Sequence, residues 1–194
     1  WRADPREPFF FGNHQTVPIV FRDTCQRGVS NVPMKSMNDL FLHGLQDLYT
    51  AEKKILQSLP KMAKNVAADE LKQALERHRD ETQEQVKRLE QVFKMIGQSP
   101  KGIACKAIEG IIGEAQETME EIEDEEVCDA AILADAQAVE HYEITRYGTL
   151  TSWAKELGYD DAAKLLHQTL EEEKRTDEML TKLAKKRVNK SAVA

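Results

Sequence analysis

The sequence predicts an all-α protein, a bundle of four long helices with a helical crossover between the second and the third. Three observations lead there. Apolar residues recur every three or four positions through four long segments, which is the helical period. Charged residues make up 31% of the 194 and interleave with Ala and Leu, while nine Gly and six Pro are too few for a turn-rich fold. Glu52, Glu81, Glu140 and Glu173 each fall near the middle of a different segment, on or beside its apolar stripe.

Composition bounds the rest. The chain is long enough for one domain with a substantial core. A net charge of −7 and a pI near 5.4 argue against nucleic acid as a partner. The basic residues Lys185, Lys186, Arg187 and Lys190 read as a helix C-terminus complementing its dipole. No stretch approaches the ~20 apolar residues of a membrane span. Cys25, Cys105 and Cys128 form no CxxC pair. So sparse and odd a set suits a reducing compartment, and the cytoplasm is expected, with the thiols acting as small hydrophobes. Residues 1–33 hold two short apolar runs, Phe9-Phe10-Phe11 and Val17-Pro18-Ile19-Val20-Phe21, but no sustained period. Neither run is long enough for a signal-peptide core. A disordered or non-native leader is expected there, ahead of a domain over residues 34–190 that starts at Met34 or Met37, with a tail at 191–194.

The first helix is expected over residues 36–66, capped by Ser36 or Asn38. Its stripe is Phe41, Leu45, Leu48, Ile55, Leu59 and Met62. Glu52 lies within ~40° of Leu48 and Phe41, and Asp47 ~100° off, on the flank. Pro60 is a point at which the helix can kink. The second helix is expected over residues 69–96, ending at Gly97 as the C′ residue. Leu71, Leu75, His78, Thr82, Val86, Leu89, Phe93 and Ile96 form its stripe, with Glu81 at the edge beside Ala74, Gln85 and Val92. Glu84 projects nearly opposite. The connection is short, so the two helices make an antiparallel hairpin.

Gln98-Ser99-Pro100-Lys101-Gly102 reads as a turn, followed by a helix over residues 103–123. About 20 helical residues span about 30 Å, enough to return the chain to the other end of the bundle. A single long crossover of this kind occurs in ferritin-like bundles, so the expected class is a ferritin-like up-down four-helix bundle. Eight acidic residues and no basic one lie between Glu114 and Glu126, a solvated face. The third long helix is expected over residues 127–157, ending at Gly158, with Leu133, Ala136, Gln137, Glu140, Glu143, Ile144 and Tyr147 on one face. The fourth, over residues 161–187 with Asp160 as cap, buries Leu166, Leu170, Leu180 and Ala184. Glu173 and Asp177 lie within ~20° of Leu166, whereas Glu172 points away.

Midpoints of four packed helices share one height, so the four glutamates converge at the waist of the bundle. A buried carboxylate costs several kcal/mol unless it is paired, protonated or bound to a cation. Carboxylates with an imidazole suit iron, manganese or zinc. His78, three residues before Glu81, Glu143, three after Glu140, and Asp177, four after Glu173, face the same way and complete the candidate metal-ligand set. The Glu-x-x-His spacing of di-iron bundles is absent: Glu84 follows Glu81, and Thr176 follows Glu173. His43, His141 and His167 lie off their stripes. Alternatively the carboxylates form a metal-free polar network, satisfied by Arg146, Lys174, Tyr49, Tyr142, Tyr147, Gln85 and Gln137.

Several strings are similar to those of a known family. They are Asp47-Leu48-Tyr49-Thr50-Ala51-Glu52-Lys53, His78-Arg79-Asp80-Glu81-Thr82, Ala138-Val139-Glu140-His141-Tyr142-Glu143-Ile144, Tyr147-Gly148-Thr149-Leu150 and Thr169-Leu170-Glu171-Glu172-Glu173-Lys174. On them, residues 34–190 resemble the YciE/YciF bacterial stress proteins of the ferritin-like superfamily. The resemblance implies a ferritin-like bundle, a homodimer, a link to stress and a rubrerythrin-like metal site. The expected function is thus a cytoplasmic stress protein binding one or two ions of iron or manganese, with a role against peroxide or oxygen. The alternative is a non-enzymatic dimeric interaction module built on the metal-free network. Deleting residues 1–33 is expected to leave the midpoint of thermal unfolding unchanged, and a large fall would show that the leader belongs to the fold.

Overall fold

Ser36 opens the first helix with a reciprocal capping box. Its Oγ accepts from Asp39 N–H at 3.1 Å, while Asp39 Oδ2 accepts from Ser36 N–H at 2.9 Å. In the computed structural model, which describes residues 33–193, this helix is α1, Met37–Lys64, and it runs through Pro60. All of the expected leader except Pro33 lies outside the described residues. The second helix, α2, is Asp69–Met95. Gly97 follows with φ +69°, and Gly158 closes the third long helix with φ +76°. Both take the left-handed C′ conformation that glycine adopts without a Cβ penalty.

The crossover helix, α3, is Lys106–Glu121, three residues later in starting than the periodicity suggests. The delay has a tertiary cause. Residues 100–105 run over α1, where Ile103 N–H donates to Gln46 O at 3.3 Å, and the buried Cys105 Sγ lies 3.1 Å from Tyr142 Oη. The acidic run from Glu114 to Glu126 is exposed throughout its carboxylates, as expected. The third long helix, α4, is Glu125–Glu156, capped by Asp124, whose Oδ1 accepts from Val127 N–H at 2.9 Å. The last, α5, is Asp160–Leu183. Its cap is Tyr159 and not Asp160. The Tyr159 ring stacks on Phe41 with centroids 5.8 Å apart, and its hydroxyl donates to Asn38 Oδ1 at 2.9 Å. That anchoring sets the start of the helix, so Asp160 and Asp161 fall in the first turn, where their charge suits the dipole. One wide π-helical turn, Ala184–Val188, and a short helical end, Asn189–Ser191, replace the regular helix expected to residue 187.

Helix α1 packs on α2 and α4, and α5 packs on the same two. The chain direction follows from the ends. The α4 residue Asp129 meets the α1–α2 connection, and Tyr159 meets the start of α1. Every neighbouring pair in the bundle is therefore antiparallel, and α2 and α4 lie on a diagonal. A tight turn cannot join parallel diagonal helices, so α3 makes the return on the outside of α1 and α4. Phe41, Leu45, Leu48, Leu75, Leu89, Phe93, Leu150 and Leu166 fill the core above and below the waist.

The sequence expected one apolar face on α4. The structure buries Ile132, Leu133, Ala136, Val139, Tyr147, Leu150 and Ala154, which lie within about 120° of one another around the helix, while Gln137 and Ile144 fall at the edge of that face and are only half-buried. Helix α4 touches α1, α3 and α5, and its one buried face is turned slightly from the expected one, toward Val139 and away from Gln137. The buried Asp129 closes the top of the bundle: its two carboxylate oxygens accept from Ala67 N–H at 2.9 Å and Ala68 N–H at 2.8 Å. Asp129→Ala is expected to cost about 2 kcal/mol, because it orphans two backbone donors. For a domain of this size that lowers the midpoint of thermal unfolding by about 4–8 °C. Calorimetry checks the figure; a change of only about 1–2 °C, worth roughly half a kcal/mol, would remove this contact from the account of stability.

Candidate metal centre

Glu52 on α1, His78 and Gln85 on α2, Glu140, Glu143 and Tyr147 on α4, and Glu173 on α5 meet at the waist. None is more than 4% exposed. His78 and Gln85 are seven residues apart, and Glu140, Glu143 and Tyr147 are spaced by three and four, so each set shares a helix face. One ligand atom from each of His78, Glu140, Glu143 and Glu173 lies within 4.8 Å of all the others. His78 Nε2 is 3.3 Å from Glu140 Oε1, and Nδ1 is 4.0 Å from Glu173 Oε2.

Two neutral donors orient the acids. Tyr147 Oη donates to Glu52 Oε1, and Gln85 Nε2 donates to Glu173 Oε1. Glu52 also faces Glu143, and Glu140 faces Glu173. Most of the remaining capacity is unmet. Glu52 Oε2, Glu140 Oε2, both oxygens of Glu143, Glu173 Oε2 and both nitrogens of His78 make no hydrogen bond within the protein. Among the described residues none of the four carboxylates has a salt bridge to Lys or Arg.

Burial is the first cause of every titration shift here. It raises Glu52 to about 7 against the hydrogen bond from Tyr147, and it raises Glu140 to about 8. Glu143 and Glu173 are pushed well above the ordinary carboxylate range by burial and then by the neighbouring acids. Burial lowers His78 to about 4, so its imidazole is neutral and available as a ligand near pH 7. A divalent cation, or two, would answer both the charge and the orphaned oxygens. The donor set, hard carboxylates plus one imidazole and no thiolate, fits iron, manganese or zinc.

The structure does not bring Glu81 or Asp177 into this cluster. The Glu81 backbone has nearly the phase of the buried Ala74 and Val92, but its side chain turns out between α2 and α5, beside Thr176 and the charges of Arg175 and Arg77. Asp177 is one turn, ~6 Å, along α5 from Glu173. There its Oδ1 accepts from Gln137 Nε2 at 2.9 Å and lies 3.4 Å from Nε2 of His141, which is 71% exposed. Glu172 does not point away. It fills the α2–α5 seam and pairs with Arg88 at 2.8 and 3.0 Å. Of the seven groups expected to satisfy a polar network, only Tyr147 and Gln85 reach the four waist carboxylates. Tyr49 donates to Glu90, Tyr142 to Asp47 and Lys174 to Glu171, Gln137 serves Asp177, and Arg146 lies beside Asp47. The Arg88–Glu172 pair went unread in the sequence because a single stripe per helix has no place for the seam between two.

A four-helix bundle with an outer crossover and a buried carboxylate–imidazole waist defines a ferritin-like helical protein. Known proteins agree in sequence and in shape. A family model described as a domain of unknown function, DUF892, matches residues 36–193. Protein YciF of Escherichia coli strain K12 is 49% identical over 160 residues, which are 82% of this chain and 96% of YciF. The crystal structure of that stress protein superposes with a TM-score of 0.78, covering 81% of this chain and 99% of its own. YcfI of Rhodopseudomonas palustris, described as a candidate structural protein, is 52% identical with a TM-score of 0.77, covering 79% of this chain and 98% of its own. The chain belongs to the DUF892 family and, with it, to the relatives of the stress protein YciF.

The titration shifts give a pH dependence. Folded carboxyls raised above the ordinary value of 4.5 hold protons that the unfolded chain has released, so stability falls as pH rises from there to about 8. His78, lowered from 6.5 to about 4, acts in the opposite sense, but only below 6.5. Between about 6.5 and 8 the carboxyls therefore act alone. The metal-free protein is expected to melt at progressively lower temperature across that window in a calorimetric pH series. A flat or rising melting temperature would contradict the burial of four acids at one level.

Proposed function

We propose that this protein is a cytoplasmic, homodimeric stress-response protein that binds one or two ions of iron or manganese at the waist of its bundle and counters peroxide or oxygen there. One observation carries the proposal: oxygens from three buried glutamates and an imidazole nitrogen lie within 4.8 Å of one another, with further orphaned oxygens beside them and, among the described residues, no salt bridge to Lys or Arg. The similarity to the stress protein YciF supports the physiological setting.

In this reading Glu140, Glu143, Glu173 and His78 hold the ion, and Glu52 adds a carboxylate from the opposite helix. Tyr147 and Gln85 hold Glu52 and Glu173 in place, as groups behind metal ligands do. The apolar core on both sides excludes bulk water, which keeps the carboxylates strong as ligands. Iron or manganese in such a site supplies one-electron chemistry toward peroxide or dioxygen.

Metal analysis of protein purified without added metal, followed by anaerobic titration with ferrous or manganous ion, tests this. Saturation at about a hundred times Kd adds about 2.7 kcal/mol to stability, which a thermal melt detects readily. Glu140→Gln keeps the shape of the side chain and is expected to weaken binding by at least about tenfold. Wild-type protein that takes up less than about a tenth of an equivalent and gains no stability would leave the metal-free interaction module as the answer.

A further inference from the structure

Between α1, α3 and α4 lies a crevice of about 350 Å³. Ser58, Asn65, Gln116 and Asp135 line it with polar groups, and Asp135 Oδ2 is buried there without a hydrogen bond. At its floor a smaller cavity of about 20 Å³ begins. Ser58, Met62, Ile112 and Val139 line both spaces, so the two adjoin. Ile55, Leu59 and Ala136 also line the smaller one, together with His78 and Glu140 of the waist cluster. A crevice of mixed polar and apolar lining thus adjoins a small apolar cavity that touches two residues of the waist cluster.

The size of the smaller cavity decides what it can hold. One water needs about 10–15 Å³ of such space. The smaller cavity therefore has room for about one water-sized molecule, and none for a branched organic one. We propose that the crevice beneath the crossover helix is the entry port of the waist cluster, with Ile112, Met62 and Val139 as a size filter that admits dioxygen and hydrogen peroxide and excludes organic substrates. The proposal rests on the metal reading only for the chemistry at the end of the path; the path itself is a property of α1, α3 and α4.

A thiol placed in the smaller cavity tests the route without metal. Ala136→Cys is treated with hydrogen peroxide or with tert-butyl hydroperoxide, and oxidation is read by peptide mass spectrometry. In both reactions the thiolate attacks a peroxide oxygen and the O–O bond breaks. Sulfenate forms, and hydroxide or tert-butoxide leaves and takes up a proton. The rate ratio of the two oxidants, normalised to the same cysteine in urea, is expected to rise by roughly tenfold or more in the folded protein. Cys105, buried outside both cavities, is the internal control. Ile112→Trp is expected to slow peroxide at residue 136 by a similar factor, and Ile112→Ala to let the bulky oxidant in. The opposed pair keeps the test decisive if one variant fails to fold. The ferrous-loaded protein, oxidised by peroxide, should show the same dependence on residue 112 at unchanged iron content. Size selection at residue 136 in a protein that binds no iron would keep the port and overturn the metal reading. Iron binding with no size selection and no effect of residue 112 would overturn the port and leave the metal reading standing.

Discussion

Four carboxylates buried at one level of the bundle are the constraint around which the rest of the molecule is organised. Each would cost several kcal/mol if left charged and unpaired. The fold supplies Tyr147 and Gln85 as neutral donors and arginine only at the margin, where Arg88 is engaged with Glu172. The acids are left either to hold protons, as their raised titration implies, or to share a cation. Core layers of Leu, Phe and Ile above and below the waist provide the stability that a polar middle consumes.

Topology follows from the same arrangement. Antiparallel neighbours place the midpoints of all four helices at one height whichever way each runs. With α2 and α4 parallel on a diagonal, the connection must travel the length of the bundle, and α3 does so on the surface. Because α3 is laid on the outside of α1 and α4, it closes the bundle less completely than a fifth core helix would. Only Ile108 and Ala115 of α3 are fully buried. The crevice lies beneath it, next to the small cavity that touches His78 and Glu140.

The periodicity of the chain determined the number of helices, their approximate limits, the crossover and the burial of Glu52, His78, Glu140, Glu143 and Glu173. These are local properties: phase along a helix depends on residue spacing alone, and burying a charge is conspicuous in any apolar stripe. What depended on neighbours was decided by the tertiary structure. Glu81 has an inward backbone phase but an outward side chain, since its rotamer is chosen by the gap between α2 and α5. Asp177 has the right angle at the wrong height, where Gln137 rather than the waist receives it. Glu172 was read as solvent-facing because one stripe per helix describes one contact, whereas α5 has two. The anchoring of Tyr159 on Phe41 moved the start of α5, and the passage of residues 100–105 over α1 delayed α3. By itself, then, the sequence determined which side chains had to be hidden. Only packing decided which of them met, because a meeting point is set by height, rotamer and the shape of the adjoining helix together.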